Sequence, residues 1–494
     1  MVYMAAGVSG LTGIVGTFFV KEYLGISAEF LAALAFWAGI PWALKMPVGH
    51  LVDLIWRWKA LLVYLGAGLI AASLLIMIAL LGDPQRMREL MPAEHWFVLA
   101  TLLAPVGYVV QDTVADAMTV EAVPRFDEQG RRYDAAAMKA MHTTMQTLGR
   151  VAIIGGSVLV AALNVWFFSG AQGLPEPARA ALYADVYTYA LAIPMLSVSG
   201  VMLHHFIKHP LPGAEKTAPN WWVLGGSLVF VALTLAVGLT AVRYGQELIF
   251  CGSFAVILFL LWRLAGELEP QARETMVATA LVVFMFRAIP GTGAGTTWWS
   301  IDVLGFDQSF IARLSLVASF LTLVGMFVFR RYMAEHSVSQ VIVMLTIAAG
   351  VLSLPNIGMY YGLHEWTARH TGGAVDQYVI ALIDTALESP LGQIAMIPML
   401  AWIANSAPAH LKATYFAVMA SFTNLALSAS QLGTKYLNQL YVVTREVRDP
   451  VSGALKVAAD YSEVGMLMIS AAAMGLALPL ATVALIRRFG LRTA

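Results

Sequence analysis

The sequence predicts an all-α membrane protein that crosses the bilayer many times, and three observations support this class. Of its 494 residues, 59% are hydrophobic and only 12% are charged, whereas soluble domains carry roughly a quarter charged residues. Apolar stretches close to the ~20 residues that cross a bilayer recur along the whole chain. Two such stretches repeat the same arrangement of acidic residues. These features predict a polytopic protein that works within the membrane.

The apolar stretches give fourteen predicted spans in a six, two, six order. The first six are 4–20, 28–52, 60–81, 96–122, 138–167 and 185–207; the middle two are 221–242 and 246–264; the last six are 275–298, 309–331, 338–361, 377–405, 411–440 and 463–488. The expected domains are an N-terminal six-helix bundle at 1–207, a linker with two extra helices at 208–273 and a C-terminal six-helix bundle at 274–494. A twelve-span arrangement is the alternative.

Composition and motifs also argue against several classes of function. The net charge is zero and basic residues are spread thinly, so no nucleic-acid-binding surface is predicted. The single Cys251 cannot form an internal disulfide. The chain has no phosphate-binding loop of the pattern G-x-x-x-x-G-K-[ST], and neither a metal-ligand cluster nor a nucleophile triad emerges. We therefore expect no enzyme activity, no cofactor and no metal.

Lysines and arginines in the connections predict the orientation, because basic loops tend to stay cytoplasmic. With the N-terminus inside, sixteen fall on the cytoplasmic side: Arg57, Lys59, Arg125, Arg131, Arg132, Lys139, Lys208, Lys216, Arg263, Arg273, Arg330, Arg331, Lys412, Arg487, Arg488 and Arg492. Nine fall on the other side: Lys21, Arg86, Arg88, Arg179, Arg243, Arg369, Arg445, Arg448 and Lys456. The sequence predicts a cell inner membrane protein with both termini cytoplasmic.

The repeated acidic pattern consists of Asp112 with Asp116 and of Asp384 with Glu388. A spacing of four residues places both carboxylates of a pair on one helix face. Because charges are costly in a bilayer, acids there normally face a bundle interior or a wet cavity on a substrate or proton path. A buried carboxylate can load and release a proton, so all four are predicted proton-coupling residues. A structural alternative is that Asp112 or Asp116 neutralises Arg150.

The two halves of the chain also repeat each other outside the acid pairs. The segment LGISAEF at 24–30 is echoed by LGFDQSF at 304–310. Two similar six-helix halves are typical of rocker-type secondary transporters, which hold the substrate between the halves. This repeat predicts alternating access.

A short pattern after the second span resembles the major facilitator superfamily. Gly49, Asp53 and Arg57 match three positions of that superfamily's G-x-x-x-D-R-x-G-R loop, and Leu54 replaces its first arginine. The resemblance implies a major facilitator fold in which these residues form a conformational latch. The alternative for Asp53 and Arg57 is an ordinary solvated pair, which contributes little stability.

A narrower resemblance covers nearly the whole chain. The segment PWALK at 41–45, followed by Gly49 and Asp53, resembles the P-W-x-x-K-P-x-x-G-x-x-S-D stretch of the folate-biopterin transporter family. The segments FFVKEYLG at 18–25 and ATYFAVMASFTN at 413–424 are similar to that family's first and eleventh spans. Muropeptide permeases, acetyl-CoA transporters and light-harvesting assembly factors of photosynthetic bacteria remain alternatives.

The family resemblance implies a pterin- or folate-like anion, and the chemistry of that solute suggests its ligands. A carboxylate can accept two hydrogen bonds from the pterin ring edge, which suits the two acid pairs. Arginine binds carboxylates bidentately, so Arg150 and Arg287 are candidates for a folate tail. Stacking on the flat ring favours aromatic side chains. The predicted aromatic contacts are Trp37, Tyr108, Trp298 and Trp299. The alternative for each ring is packing at the lipid or at the membrane interface, where aromatic residues are enriched.

Two further patterns concern local structure. Pro290 followed by glycines at 291, 293 and 295 predicts a break in the seventh span, because proline removes a backbone hydrogen bond and glycine weakens helices. The alternative is close helix packing through these small residues. Residues 442–462 alternate around a turn-like DPVSG segment and predict a small external hairpin, with a disordered loop as the alternative.

Taken together, the sequence predicts a secondary active transporter that moves a folate- or pterin-like anion by alternating access with proton coupling. Its partners are then a small-molecule substrate, protons and the lipid bilayer, and the superfamily default is a monomer. Two alternatives remain: a transporter of another organic anion, such as a muropeptide or acyl-nucleotide, and a non-transporting assembly or pigment-delivery factor. The sequence assigns no role in transport to the middle helix pair.

Overall fold

The computed structural model describes most of the chain, and its helices and strands are given below within that part. The described residues are 1–24, 26–43, 45–55, 58–121, 129–131, 133, 135–171, 174–206, 221–238, 240, 242–266, 268–392, 394–396, 399, 412–448 and 454–493. The chain divides into two compact units. The first comprises Met1–Val15 and Lys45–Leu224, and the second comprises Gly16–Leu44 and Gly225–Ala494.

Helices make up nearly all of the first unit. They are α1 (Val2–Val8), a 3-10 helix (Ser9–Thr12), α4 (Lys45–Leu54), α5 (Lys59–Gly82), α6 (Pro84–Leu90), α7 (Ala93–Glu121), α8 (Ala135–Phe168), α9 (Glu176–Ala190) and α10 (Ala192–Phe206). Its longest helices are α5, α7 and α8.

The second unit contains the remaining helices and one small sheet. The helices are α2 (Gly13–Tyr23), α3 (Ala28–Ala43), α11 (Trp221–Gly238), α12 (Gly245–Ala265), α13 (Pro270–Arg287), α14 (Ala294–Asp302), α15 (Gln308–Val328), α16 (Arg330–Glu335), α17 (Val338–Tyr360), α18 (Leu363–His370), α19 (Gln377–Glu388), a 3-10 helix (Ser389–Leu391), α20 (Lys412–Leu440) and α21 (Val464–Arg488). The first residues of α2 and α11 belong to the first unit.

The helices confirm the predicted fold class. Within the described ranges, nine helices are long and apolar enough to cross a membrane, and two shorter apolar helices lie at Ala28–Ala43 and Leu224–Gly238. Each of the fourteen predicted stretches contains helix. Whether the chain crosses the bilayer fourteen or twelve times stays a prediction, as do the domain limits at 207 and 273.

Glycines bring α5 and α7 together in the first unit. A Cβ built on Gly66 would lie 2.6 Å from the Gly107 carbonyl oxygen, and one built on Gly107 would lie 2.6 Å from the Gly66 carbonyl oxygen. No side chain fits at either position without moving backbone, so both helices depend on glycine there. This contact fixes the part of α7 that precedes the first acid pair.

The seventh predicted span is broken between α13 and α14, as the Pro290 and glycine pattern predicted. Gly293 has φ of +71°, a left-handed conformation that favours glycine. The broken backbone is bound by one face of α20: Ser430 donates to the Ile289 carbonyl at 2.6 Å, and the Gly291 amide donates to Thr434 Oγ1 at 2.9 Å. Asn438 donates to the Thr292 carbonyl at 3.2 Å.

The predicted hairpin is also present, and its place on the external side of the membrane stays a prediction. Strands β1 (Val447–Arg448) and β2 (Leu455–Val457) pair antiparallel, and Thr444 and Asp460 form an additional bridge. The turn between the strands lies outside the described residues.

The extra helix α12 is fastened to two other helices of the second unit by polar contacts. Gln246 donates to the Ala33 carbonyl of α3 at 3.0 Å, and Lys435 of α20 forms an ion pair with Glu247 at 2.9 Å. A buried apolar cluster joins the same three helices. It comprises Phe36, Ile40, Ile249 and Leu432. The second helix of the middle pair is therefore packed against α3 and α20.

Candidate functional sites: two acid pairs and a charge network beside the hairpin

In the part of the chain that the structure describes, both acids of the first pair form an ion pair with Lys45. The Lys45 ammonium lies 2.6 Å from Asp112 Oδ2 and 2.5 Å from Asp116 Oδ2. The lysine and Asp112 side chains are 15% and 16% exposed, and Asp116 is 32% exposed. Because all three groups are largely withdrawn from water, their attraction is screened less than that of a surface pair.

Helix packing positions this cluster. Lys45 begins α4, and the two acids lie one turn apart on α7. Immediately before Asp112, Gln111 is 1% exposed and donates to the Val63 carbonyl and to Ser197 Oγ, both at 3.0 Å. These bonds fix the rotation of α7 about its axis. The Asp112 and Asp116 face is thereby held toward α4.

Two further side chains surround the first pair. The Tyr3 hydroxyl of α1 donates to Asp116 Oδ1, which gives this carboxylate a second partner. Arg150 of α8 contributes positive charge that acts on Asp112, but among the described side chains it forms no ion pair within 4 Å. The sequence offers Arg150 as the counter-ion of this pair. In the structure, Lys45 forms the ion pairs with both acids.

The second acid pair has a different environment. Asp384 of α19 is 5% exposed, and its Oδ2 accepts a hydrogen bond of 2.5 Å from Asn356 of α17. Its Oδ1 is buried and has no hydrogen-bond partner within the described part of the chain. Glu388, one turn later, is exposed. The second pair thus contains one buried carboxylate that an amide contacts and one carboxylate at the surface.

Arg287 lies at the last residue of α13, in the same unit as Asp384. Its Nε donates to the Thr423 carbonyl at 3.0 Å, and its Nη1 lies 3.6 Å from Met396 Sδ. These contacts come from a backbone carbonyl and a thioether. Its predicted role as a substrate ligand stays a prediction.

The predicted stacking aromatics are packed against protein groups. Trp299 belongs to a buried apolar cluster and lies 5.7 Å from the Tyr360 ring. Trp298 is 2% exposed, and the Arg445 guanidinium sits 5.1 Å from its ring centre. Trp37 packs edge-on against Phe36 at 5.7 Å beside the cluster that holds α12.

Tyr108, the fourth predicted aromatic, lies on α7 one turn before Asp112, and Ser9 is its polar neighbour. Substrate stacking by the four rings is a prediction that these contacts do not test.

A charge network lies beside the hairpin of β1 and β2 in the second unit. Lys21, near the end of α2, forms an ion pair with Asp302 at the end of α14. Tyr461 donates to the other oxygen of Asp302, and Arg445 donates to the Lys21 carbonyl. Burial lowers the pKa of Arg445 to about 10. Burial and the bond to Asp302 raise the pKa of Tyr461 above its usual range.

The predicted latch falls largely outside the described residues. Gly49 lies in α4, where a Cβ would meet Thr113 Cγ2 at an ordinary 3.6 Å. The Asp53 side chain and Arg57 are not described. Their latch role stays a prediction.

Sequence reasoning missed three site residues. Lys45 was noted only for its family motif, although a lysine within an apolar stretch needs a counter-charge. Tyr3 and Asn356 are neutral, and no spacing pattern links them to the acids. Tyr3 lies more than a hundred residues before Asp116, and Asn356 nearly thirty residues before Asp384.

Solved structures with the same fold share almost the full chain length. A crystal structure of the peptide transporter POT, in a mutant form, has a TM-score of 0.65 at 14% identity and covers 99% of this chain and 94% of its own. The nucleoside transporter NupG, also a mutant, has a TM-score of 0.55 at 12% identity and covers 98% and 96%. At these identities the likeness shows the fold alone, which is the predicted major facilitator fold.

The apolar helices and the fold define a multi-pass membrane protein of the major facilitator type, and the proteins that it resembles are transporters. The model of the BT1 family matches residues 239–489, and the chain belongs to this family. A folate-biopterin transporter from Synechocystis sp. is 21% identical over 433 residues, which cover 86% of this chain and 71% of that protein. The predicted family resemblance is confirmed.

Proposed function

We propose that this protein is a proton-coupled secondary transporter that moves a pterin- or folate-like organic anion by alternating access. Membership in the BT1 family and the folate-biopterin transporter relative support this solute class. The transporter would catalyse no chemical reaction. It would act as a monomer in the cell inner membrane with both termini cytoplasmic, which rests on the distribution of basic residues.

The observation that carries the proposal is the buried Asp384 carboxylate. An amide is its hydrogen-bond partner, and its second oxygen is unpartnered in the described part of the chain. Leaving a buried charge uncompensated is costly. A proton bound to Asp384 removes that charge and supplies an O–H donor for the solute or a neighbour. This carboxylate is therefore our candidate for the coupled proton.

The first acid pair would act differently, because Lys45 already neutralises part of its charge. If one carboxylate of the pair binds the pterin edge, Lys45 remains paired with the other. The cluster could then exchange a protein contact for a substrate contact without exposing an unpaired charge. Arg150 and Arg287 are our candidates for the anionic part of the solute.

Alternating access requires contacts that close the protein on one side of the membrane. These contacts must then break so that the same side can open. The Lys21 and Asp302 ion pair joins a stretch predicted in the N-terminal bundle to one predicted in the C-terminal bundle. Arg445 and Tyr461 of the external hairpin reinforce it. We propose that this network holds the outer side closed and opens during transport.

The test is uptake of labelled folate, biopterin and unrelated anions into vesicles that contain the purified protein. Wild type should concentrate a pterin or folate when a pH gradient is imposed, and Asp384→Asn should lose the response to the gradient. Glu388→Gln is the matched control, because it removes an exposed carboxylate one turn away.

Three results would contradict the proposal. Uptake that ignores the gradient in wild type removes proton coupling. Uptake of a muropeptide-like or acyl-nucleotide anion in place of pterins changes the solute class. If folded wild type moves no solute faster than empty vesicles, a non-transporting assembly factor becomes the better explanation.

A further inference from the structure

Two adjoining cavities lie at the surface of the second unit, between the start of α17 and the end of α21. The larger has a volume of about 610 Å³ and a polar end formed by Tyr332, His336 and Gln340. The smaller, of about 280 Å³, shares Gln340 and Arg487 with it. Together they form a continuous groove with a polar pocket at one end.

The wall of the larger cavity follows one face of α17. Its apolar members are Val343, Met344, Ile347 and Ala348. Counted from Gln340, they recur at intervals of three and four residues, which is the spacing of a single helix face. They extend the groove about 12 Å along the helix axis. Ile347 is 50% exposed, so the groove is open toward the side of the protein.

The polar pocket contains two arginines that the chain brings together. After α21, the amide of Gly490 donates to the Arg487 carbonyl and that of Leu491 to the Ile486 carbonyl. With Gly490 at φ +69°, this is a Schellman turn that reverses the chain. Thr493 then donates to Ser339 Oγ at 2.6 Å. As a result, Arg492 lines the same pocket as Arg487.

The charge in this groove is uniformly positive. The described residues that line the two cavities include no aspartate or glutamate. The pocket also meets the N-terminus of α17, whose backbone amides carry partial positive charge. Arginine recognises phosphate oxygens through its planar fork. A phosphate is therefore the chemical group that suits the pocket.

We propose that this groove binds an anionic phospholipid, with its phosphate between Arg487 and Arg492 and an acyl chain along α17. A free phosphate would use the arginines but leave the apolar face beside them uncovered. A basic pocket between membrane helices with an open apolar extension fits a lipid. The arginines also belong to the set predicted on the cytoplasmic side, where anionic lipids are enriched.

The experiment measures lipid retention on the purified full-length protein by native mass spectrometry, together with its thermal unfolding in detergent. The probes are phosphatidylglycerol, phosphatidylcholine and inorganic phosphate. The variant Arg487→Gln/Arg492→Gln removes both charges. Arg488→Gln is the matched control, since it makes the same change on the next residue, which lines neither cavity.

Wild type should retain phosphatidylglycerol in preference to phosphatidylcholine, and the lipid should raise the unfolding temperature. The double variant should bind it about 30-fold more weakly, since each arginine near an anionic surface contributes about fivefold. Arg488→Gln should stay within about twofold of wild type. Equal retention by the double variant would overturn the proposal.

A second variant tests the groove without touching the arginines, should the double variant fail to fold. Ile347→Glu places a carboxylate at a half-exposed position of the apolar wall. This substitution should weaken the binding of phosphatidylglycerol by about tenfold. If inorganic phosphate protects wild type as well as the lipid does and Ile347→Glu has no effect, the pocket is a free-phosphate site and the lipid assignment is wrong.

Discussion

Asp112 with Asp116 and Asp384 with Glu388 share one spacing, yet their surroundings differ. In the first unit, one lysine bonds both carboxylates and a tyrosine bonds Asp116 again. In the second unit, Asp384 is more deeply buried and has an amide where the first pair has an ammonium group. Glu388 lies at the surface.

This difference shows that repeated sequence patterns can acquire different chemistry after folding. A buried acid beside a cation resists a change of charge, because protonating it would leave the cation unpaired. A buried acid beside an amide has no such constraint. We therefore assign substrate exchange to the first pair and proton loading to Asp384, and each of the following variants tests that division.

The largest effect is expected from Lys45→Met. It leaves two acids without their shared cation, so the free energy of unfolding should fall by about 3 kcal/mol, and transport should fall to background. Denaturant unfolding in detergent measures the first effect. Lys45→Arg keeps the charge and should recover at least half of the loss. Wild-type stability in Lys45→Met would show that the two ion pairs contribute nothing.

Asp384→Asn should separate stability from coupling. Removing an uncompensated buried charge should leave stability unchanged or raise it by up to about 1 kcal/mol, while the stimulation of uptake by a pH gradient should fall at least tenfold. The ratio of uptake with and without the gradient measures this. Asp112→Asn should keep that ratio even if total uptake declines. The reverse pattern would transfer proton loading to the first pair.

Tyr3→Phe is expected to have a smaller effect. It removes one hydroxyl that donates to Asp116 but leaves the Lys45 ion pair intact. The loss should be about 1 kcal/mol of unfolding free energy, with no change in gradient dependence. Tyr64→Phe, at a 42% exposed position of the same unit, serves as the control and should change stability by less than about 0.5 kcal/mol.

Glu388→Gln should have the smallest effect of the four. Its side chain is exposed, and such substitutions usually change stability by less than about 0.5 kcal/mol. Uptake and its response to the gradient should remain within about twofold of wild type. A loss as large as that of Asp384→Asn would mean that the two carboxylates work as one unit.

Much of the fold could be predicted because it follows from local composition. Apolar runs gave all fourteen helical stretches, and the Pro290 and Gly293 pattern gave the helix break. The external hairpin also followed from local alternation and turn residues. Each of these features depends on neighbours within a few residues, which the sequence displays directly.

The site was less predictable because its partners are distant in sequence. The acids could be recognised, but which cation faces them depends on how α4 rotates against α7, and that rotation is set by Gln111 and the glycines of α5 and α7. Trp298 illustrates the same limit. The Arg445 guanidinium lies 5.1 Å from its ring centre, and no local pattern links Trp298 to a residue almost 150 positions later.

The interrupted helix near Pro290 has a mechanical consequence. Ser430, Thr434 and Asn438 lie on one face of α20 and form hydrogen bonds with the backbone of residues 289, 291 and 292, respectively. A bend at that point cannot flex alone, since it would strand several polar groups in a medium that offers no water to replace them. We therefore expect the broken backbone and α20 to move together. Any conformational change that uses the bend would also move α20.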